Sequence, residues 1–363
     1  MFERRLFYHI DWPTMAALGA LCAIGVAMIY STTHSGGNAG LYVKQLYAIA
    51  VGVVAFAVCL TIDYRRLADN ALVFYVAVVL LLVGVLLFGT TGRGARRWIP
   101  LQYFALQPSE FAKLCVALLL AKFFDDSRRG RPSPTDLAVG AAITAVPFLL
   151  ILREPDLGAS ITLVTILLGI AFLAGLRLRL LGILLVLAIV TAPVAWRYVL
   201  TDYQKSRVTT FIDPESAARG AGYQQIQARV SVGSGGTWGK GFLKGTQGQL
   251  RFVPMAWNDF VFSAYAEEQG LVGVVVALGL YLFVIVRALE TARLAKDRLG
   301  AYLVVGILSA FTFQVMYNIT MSAGLLPVKG LTLPLMSSGG SSIIATLAGF
   351  GLILNVRMRR FTN

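Results

Sequence analysis

Charged residues are scarce in this chain: Asp, Glu, Lys and Arg together make up only 14 % of its 363 residues. Soluble proteins carry about 25 % charge, whereas here apolar residues reach 57 % and the mean hydropathy is +0.72. These values exclude a soluble protein, including the nucleic-acid-binding domain that a net charge of +14 would otherwise suggest. The apolar residues suffice for about ten membrane-spanning helices of about 20 residues each.

Histidine and cysteine are equally rare, with two and three residues. Cys22, Cys59 and Cys115 lie separately inside apolar runs, so we expect small core residues rather than a disulfide framework or a zinc site. The spacing of His, Cys, Asp and Glu matches no metal cage, and the histidines complete no Ser-His-Asp arrangement. We therefore expect no metal ion held by the protein alone.

Apolar runs bounded by charges or by Gly/Pro clusters predict ten helices. The predicted fold class is an all-α polytopic membrane protein with about ten transmembrane helices and one large extracytoplasmic loop. The predicted helices cover residues 12–31, 41–62, 72–89, 109–124, 135–152, 157–175, 180–200, 259–286, 300–322 and 336–356. Near the last of them, Pro327, Pro334 and the Ser/Gly run 337–342 predict irregular backbone.

This pattern divides the chain into three parts. Residues 1–200 hold transmembrane helices 1–7, residues 201–258 form the large extracytoplasmic loop, and residues 259–363 hold helices 8–10 and a cytoplasmic tail. Loops of such length are usually functional or disordered, and the aromatic residues spread through 201–258 disfavour disorder. Its glycine-rich run 233–241 lacks the spacing of a phosphate-binding loop, and we expect a turn-rich hairpin there.

The basic residues predict the orientation. With the N-terminus inside, the predicted inner segments contain far more Lys and Arg than the short outer loops. Because cytoplasmic loops attract Lys and Arg, both termini are predicted to be cytoplasmic. Arg93, Arg96 and Arg97 then lie on the outer side against this rule, which makes them candidates for function.

Ionisable residues at membrane depth are costly and usually face a cavity or one another. Here they gather near the outer ends of three predicted connections, and their Arg and Lys suit a pyrophosphate, since guanidinium groups bind phosphate oxygens in pairs. Two alternatives stay open: Glu110 and Lys113 could pair along a helix, and Asp259 could cap the start of helix 8. The set comprises Arg96, Arg97, Glu110, Lys113, Arg153, Glu154, Asp156, Asp259, Glu267 and Glu268.

Over nearly its whole length the chain resembles the SEDS family (shape, elongation, division and sporulation). Gly245-Thr246-Gln247 and the short tails are more similar to the elongation members than to the division members. The other matching strings are Gly94-Ala95-Arg96-Arg97-Trp98-Ile99, Gln107-Pro108-Ser109-Glu110-Phe111-Ala112-Lys113, Pro155-Asp156-Leu157-Gly158, Asn258-Asp259-Phe260-Val261-Phe262, Ala266-Glu267-Glu268 and Ser338-Gly339-Gly340-Ser341.

The resemblance implies a ten-helix peptidoglycan glycosyltransferase of the bacterial cytoplasmic membrane. Such an enzyme polymerises lipid II at the outer face for elongation and rod shape, with a class B penicillin-binding protein as transpeptidase partner. It implies Asp259 as the catalytic residue. The implied substrate-binding positions are Arg96, Arg97, Glu110, Lys113, Asp156, Gln247, Ser338 and Gly339.

The chain departs from the family pattern beside Asp259. Met255, Trp257 and Asn258 stand where the family usually has Glu, His and Thr. The first two replacements remove a second carboxylate and an imidazole, so this chain cannot use a mechanism that needs either group at these positions. A single carboxylate can still act as general base on the acceptor hydroxyl.

The diphosphate leaving group needs its charge neutralised, which Arg96, Arg97 and Lys113 could do. Attack opposite that group predicts inversion at the anomeric carbon. A divalent cation, Mg²⁺ or Mn²⁺, could also bridge the diphosphate, with substrate oxygens and water as most of its ligands. Two other functions stay open: a lipid II flippase, and a non-enzymatic scaffold for the penicillin-binding protein.

Overall fold

The computed structural model of the chain describes residues 10–34, 40–92, 95–100, 105–127, 132–198, 202–213, 221–249, 252–253 and 255–360. These residues are mostly helical, which confirms the predicted all-α class. The helices are α1 Trp12–Thr33, α2 Leu41–Thr61, α3 Tyr64–Asp69, α4 Ala71–Phe88, α5 Pro108–Asp126, α6 Pro134–Arg153, α7 Leu157–Leu173, α8 Leu178–Tyr198, α9 Asp202–Ile212, α10 Ala221–Ser234, α11 Thr246–Gln249, α12 Val261–Arg293, α13 Arg298–Ser322 and α14 Gly340–Arg359.

Seven of the described helices are long and apolar enough to cross a membrane: α1, α2, α4, α6, α12, α13 and α14. The helix α7 is apolar but shorter. Helix α5 contains Glu110 and Lys113 near its start and ends in acidic residues. These helices identify a polytopic membrane protein, and the count of ten spans stays a prediction.

Each of the ten predicted segments coincides with a helix, but some ends differ. Helix α12 continues to Arg293, beyond the predicted end at residue 286, because its polar last turns are held by ion pairs. Arg287 binds Asp11 at 2.8 Å and Glu290 at 2.7 Å. The extension is therefore an amphipathic continuation of an apolar helix, which a hydropathy boundary does not detect.

Helix α14 begins at Gly340, four residues after the predicted start at 336. The connection before it, residues 323–339, contains no α-helix or strand. Backbone of this kind was predicted from its Pro and Gly residues, and it is tolerated at membrane depth where it is buried in protein or lines a cavity. We refer to residues 323–339 as the α13–α14 connection.

Helices α13 and α14 form the centre of the bundle. Helix α14 packs against α2 and α13, and α13 also packs against α5, α7 and α12. Three short antiparallel strands, in the order β1-β2-β3, join α4 to α5. They are β1 Thr90–Gly92, β2 Ala95–Pro100 and β3 Ala105–Leu106. This small sheet brings Arg97 towards the start of α5.

Helix α12 is interrupted at Gly270, whose φ of 63° and ψ of −164° are not helical. Glycine has no Cβ and adopts positive φ at little cost. The residues before the break, from Val261 to Glu268, are buried in protein. The 23 residues after it span about 34 Å at 1.5 Å per residue, enough to cross the hydrocarbon core unaided. Asp259 therefore lies beyond one end of the membrane-spanning part.

Candidate active site

Asp259 lies in a turn directly before α12. The N-cap residue of α12 is Phe260, so Asp259 is one residue outside the position that the capping alternative requires. Asn318, fully buried on α13, donates from Nδ2 to the carbonyl oxygen of Asp259 at 2.9 Å and to that of Leu331 at 2.6 Å. The backbone of Asp259 is thus fastened to α13 and to the α13–α14 connection without use of its carboxylate.

The α13–α14 connection forms the other side of this turn. Ser337 Oγ donates to the carbonyl oxygen of Asn258 at 2.6 Å, and the Ser338 N–H donates to that of Trp257 at 2.9 Å. Gly330 has a φ of +67°, and a Cβ built on it would lie 3.7 Å from Asp259 Oδ2. The Asp259 carboxylate therefore faces the backbone at Gly330.

Lys329 is the cation next to this contact. Its Nζ lies 5.6 Å from the centre of the Tyr317 ring, within the range of a cation–π interaction. Burial lowers the pKa of Lys329 below its ordinary value. Among the described residues, no ion pair joins Lys329 to a carboxylate. Lys329 directly precedes Gly330, the residue whose backbone the Asp259 carboxylate faces, so it is a candidate to bind an anionic ligand there.

Arg97 fastens the turn between α6 and α7. It donates from Nε to the carbonyl oxygen of Glu154 at 2.9 Å and from Nη2 to that of Pro155. Its Nη1 lies 3.5 Å from Asp156 Oδ2. Asp156 also accepts the Ala159 N–H at 3.1 Å, as the N-cap of α7. The Arg97 guanidinium therefore already binds the carbonyl oxygens of the turn and the Asp156 carboxylate.

Glu154 and Asp156 are both buried in this turn. Burial, reinforced by the charge of Asp156, raises the pKa of Glu154 to about 8, and Arg97 opposes the rise. Burial also raises the pKa of Asp156, while Arg97 and the Ala159 N–H oppose it. A carboxyl with a pKa of about 8 is mostly protonated at neutral pH. Glu154 is therefore mostly neutral at pH 7, which fits its burial.

Glu110 and Lys113 form the ion pair along one helix that their spacing allowed. Lys113 Nζ lies 2.6 Å from Glu110 Oε2, and both side chains are buried on α5. Gln314 of α13 lines the same small cavity, of about 30 Å³. Lys113 would have to leave Glu110, or share its charge with it, to bind a diphosphate.

Polar contacts connect the residue before α5 to α14 and to Asp156, and connect α2 to the α13–α14 connection. The Gln107 N–H donates to Ser341 Oγ at 2.9 Å, and Gln107 Nε2 reaches Asp156 Oδ2 at 3.3 Å. The Gly339 N–H donates to Gln45 Oε1 of α2 at 3.3 Å. The structure thus links the surroundings of Asp156, Ser338, Gly339 and Asp259. The side chains of Arg96 and Gln247 lie outside the part that it describes.

Glu267 and Glu268 obtain their partners from the 201–258 segment and from α1. Glu267 binds Lys240 Nζ at 2.6 Å, and Glu268 accepts the hydroxyl of Ser31. These two carboxylates therefore tie the first part of α12 to the loop and to α1.

The glycine-rich run binds α12 instead of forming the expected hairpin. Its residues 236–241 satisfy backbone groups that the break at Gly270 exposes. The bonds run from Lys240 N to Glu267 O at 3.0 Å, Gly241 N to Glu268 O at 2.9 Å, Leu271 N to Gly236 O at 2.9 Å and Val272 N to Thr237 O at 3.2 Å. The loop thus fixes the short helical segment that follows Asp259.

Sequence reasoning missed the roles of Lys329, Asn318 and Gln45. Asn318 and Gln45 are polar residues inside apolar helices, and each is buried with hydrogen bonds to backbone atoms near Asp259. That placement in an apolar run was the available signal. Lys329 lies between the predicted helices 300–322 and 336–356, and no sequence pattern related it to Asp259.

Comparison with known proteins now decides the family. The profile of the FtsW/RodA/SpoVE family, described as cell cycle proteins, matches residues 6–361. The chain belongs to this family. It is 38 % identical to the peptidoglycan glycosyltransferase MrdB of Escherichia coli strain K12 over 352 residues, which cover 97 % of this chain and 94 % of MrdB.

Solved structures agree with this assignment. A chain of a peptidoglycan synthase complex that coordinates polymerisation and crosslinking superposes with a TM-score of 0.85 at 32 % identity, covering 98 % of this chain and 99 % of that one. The rod shape determining protein RodA of Thermus thermophilus gives a TM-score of 0.72 at 31 % identity, with 98 % of each chain covered. The family and the apolar helices make this chain an integral protein of the bacterial inner membrane.

Proposed function

We propose that the chain is a peptidoglycan glycosyltransferase that polymerises lipid II into glycan strands for cell elongation. The observation that carries this is the position of Asp259: its carboxylate lies directly before a broken helix and faces the backbone at Gly330. Lys329, the residue before Gly330, has no carboxylate ion-pair partner among the described residues. Relatives similar over nearly the whole chain are named peptidoglycan glycosyltransferases.

The reaction follows from these groups. Asp259 accepts the proton of the acceptor hydroxyl while that oxygen bonds to the anomeric carbon of the donor sugar. The bond from this carbon to the diphosphate breaks, and the lipid diphosphate leaves with the bonding electrons. Lys329 and Arg96 would stabilise the negative charge of that leaving group, as would Lys113 if it is released from Glu110.

Several further features belong to the proposal. Arg97, Glu110, Asp156, Gln247, Ser338 and Gly339 would shape or line the substrate site. A divalent cation, Mg²⁺ or Mn²⁺, would be held mainly by the phosphate oxygens of the substrate. Among the described residues, no group of three or more His, Cys, Asp or Glu could hold a metal ion. A class B penicillin-binding protein would crosslink the product as partner.

Stereochemistry tests this function. A single displacement inverts the anomeric carbon, so the new glycosidic bond should have the configuration opposite to that of the donor. The measurement is the anomeric coupling in the NMR spectrum of glycan made by the purified chain from isotope-labelled lipid II. Retention would indicate a covalent glycosyl-enzyme and exclude Asp259 as a simple base, while absence of glycan would overturn the function itself.

The proposed location requires that both termini be cytoplasmic. A cysteine introduced as Thr237→Cys should react in whole cells with a membrane-impermeant thiol reagent, since Thr237 is exposed on the outer loop. Ser127→Cys, directly after α5, should react only after the cells are opened. The chain without an introduced cysteine is the control, because it reports any labelling of the native Cys22, Cys59 and Cys115. The reverse pattern of labelling would place the reaction on the wrong face.

A further inference from the structure

An apolar groove runs along α1 and α2, with a volume of about 750 Å³. Cys22, Ala23 and Val26 of α1 form one wall, and Ile49 and Val53 of α2 form the other. Leu347 of α14 contributes a third helix to its lining. The groove is therefore a shaped cleft between three helices, of a size typical of ligand sites.

Aromatic residues with polar groups line one end of this groove. The rings of Tyr30 and Tyr42 meet edge to face, with their centres 5.3 Å apart, and the His34 ring lies 5.2 Å from that of Tyr30. Tyrosines of this kind are typical of the boundary between hydrocarbon and water. In the predicted orientation this end is the outer one, so the rest of the groove lies at the depth of the hydrocarbon.

The same end is connected to the candidate active site. Gln45, one helical turn after Tyr42, donates from Nε2 to the carbonyl oxygen of Ser337 at 3.0 Å. Ser337 in turn binds the carbonyl oxygen of Asn258, the neighbour of Asp259. On α1, Ser31 follows Tyr30 and binds Glu268 of α12. The groove thus begins beside the residues that position Asp259.

We propose that this groove binds the long hydrocarbon tail of the lipid-linked substrate while its headgroup is at Asp259. The inference rests on the proposed function, because that reaction needs a diphosphate at the membrane boundary and a tail that descends from it. Because the surrounding lipid is as apolar as the groove, the tail would be held there by close van der Waals packing against the three helices. The groove then selects long-tailed substrates and orients the headgroup.

A second groove, between α7, α12 and α13, has a volume of about 640 Å³. It also reaches the α13–α14 connection, through Tyr317 and Leu326. Its lining includes the hydroxyls of Thr165, Ser309 and Thr312. Hydroxyl side chains of this kind suit contact with another helix, whereas a hydrocarbon tail gains nothing from them. The α1–α2 groove is therefore the better match for a tail.

Filling the groove tests this inference. Gly19 lines it, and a Cβ built on Gly19 meets no atom within 4 Å, so Gly19→Leu extends into the groove without displacing the protein. Gly84→Leu on α4 is the matched control, because its Cβ is equally free and Gly84 does not line the groove. The measurement is KM and kcat of each purified variant with long-tailed lipid II and with a short-tailed analogue.

We expect Gly19→Leu to raise KM for the long-tailed substrate about tenfold, because the added side chain overlaps the volume that the tail fills. KM for the short-tailed analogue, and both values for Gly84→Leu, should stay unchanged. An unchanged KM for long-tailed lipid II, or an equal loss with both substrates, would overturn the inference while the function stood. If Thr312→Leu in the second groove produced the selective loss instead, the tail would lie there.

Photochemical labelling gives a readout that does not depend on the variants. A lipid II analogue with a diazirine midway along its tail should label residues of α1 or α2 in the wild-type chain. Labelling confined to α7 or α13 would contradict the assignment. If the wild-type chain makes no glycan from either substrate, the proposed function fails and this inference falls with it.

Discussion

Asp259→Asn should reduce glycan synthesis at least a hundredfold while the protein stays folded. General-base catalysis contributes about 10²–10⁴-fold, and an amide cannot accept the proton of the acceptor hydroxyl. The fold should persist, because Asn318 holds the backbone carbonyl of Asp259 rather than its carboxylate. Met255 and Trp257 offer no replacement base in the same turn.

The measurement is the rate of lipid II consumption by purified variant, with thermal unfolding in detergent as the test of folding. Asp126→Asn is the control, since Asp126 is an exposed carboxylate at the far end of α5. It should retain the wild-type rate. Near-normal synthesis by folded Asp259→Asn would remove the base assignment and show that another group accepts the proton.

Lys329→Gln should have the second largest effect. Removal of one group that stabilises developing charge typically lowers kcat by about 10²–10³-fold, and Lys329 has no carboxylate partner within the described residues to lose. Lys244→Gln is the control, because Lys244 is an exposed cation in the 201–258 segment. This variant should leave kcat unchanged. A wild-type kcat for Lys329→Gln would show that other cations stabilise the leaving group.

Lys329→Arg adds a test by pH. Because burial lowers the pKa of Lys329, its charge is lost at a lower pH than that of an ordinary lysine. The wild-type rate should therefore fall as the pH rises through that pKa. Arginine stays charged, so the variant should start from a lower rate but keep it to higher pH. Identical alkaline limbs in the two profiles would contradict the role of Lys329.

Much of this architecture was predictable because hydropathy follows directly from composition. The apolar runs located all ten helical segments, and Pro and Gly residues identified the irregular α13–α14 connection. The break at Gly270 was not predicted, since a single glycine in an apolar helix is common. The break depends on a tertiary contact, because residues 236–241 supply the hydrogen bonds that the helix loses at Gly270.

The site was predictable in outline but not in its pairing. Sequence position brought Arg97, Lys113 and Asp259 into one candidate set because all lie near the predicted outer ends of helices. Only the three-dimensional contacts reveal that Arg97 binds the turn at Glu154 and Pro155 and that Lys113 pairs with Glu110. They also bring the backbone of Gly330, which follows Lys329, to the Asp259 carboxylate. A linear sequence does not specify which cation is already bound by a carboxylate or carbonyl oxygen.

The most direct test is incubation of the purified chain in detergent with lipid II, alone and with the proposed partner, a class B penicillin-binding protein. Detergent removes the two sides that a flippase needs, so only an enzyme yields a chemical product. We expect glycan polymer and released lipid diphosphate from the wild-type chain, faster with the partner and nearly absent for Asp259→Asn. Intact lipid II after incubation with folded, partner-bound wild-type chain would contradict the account.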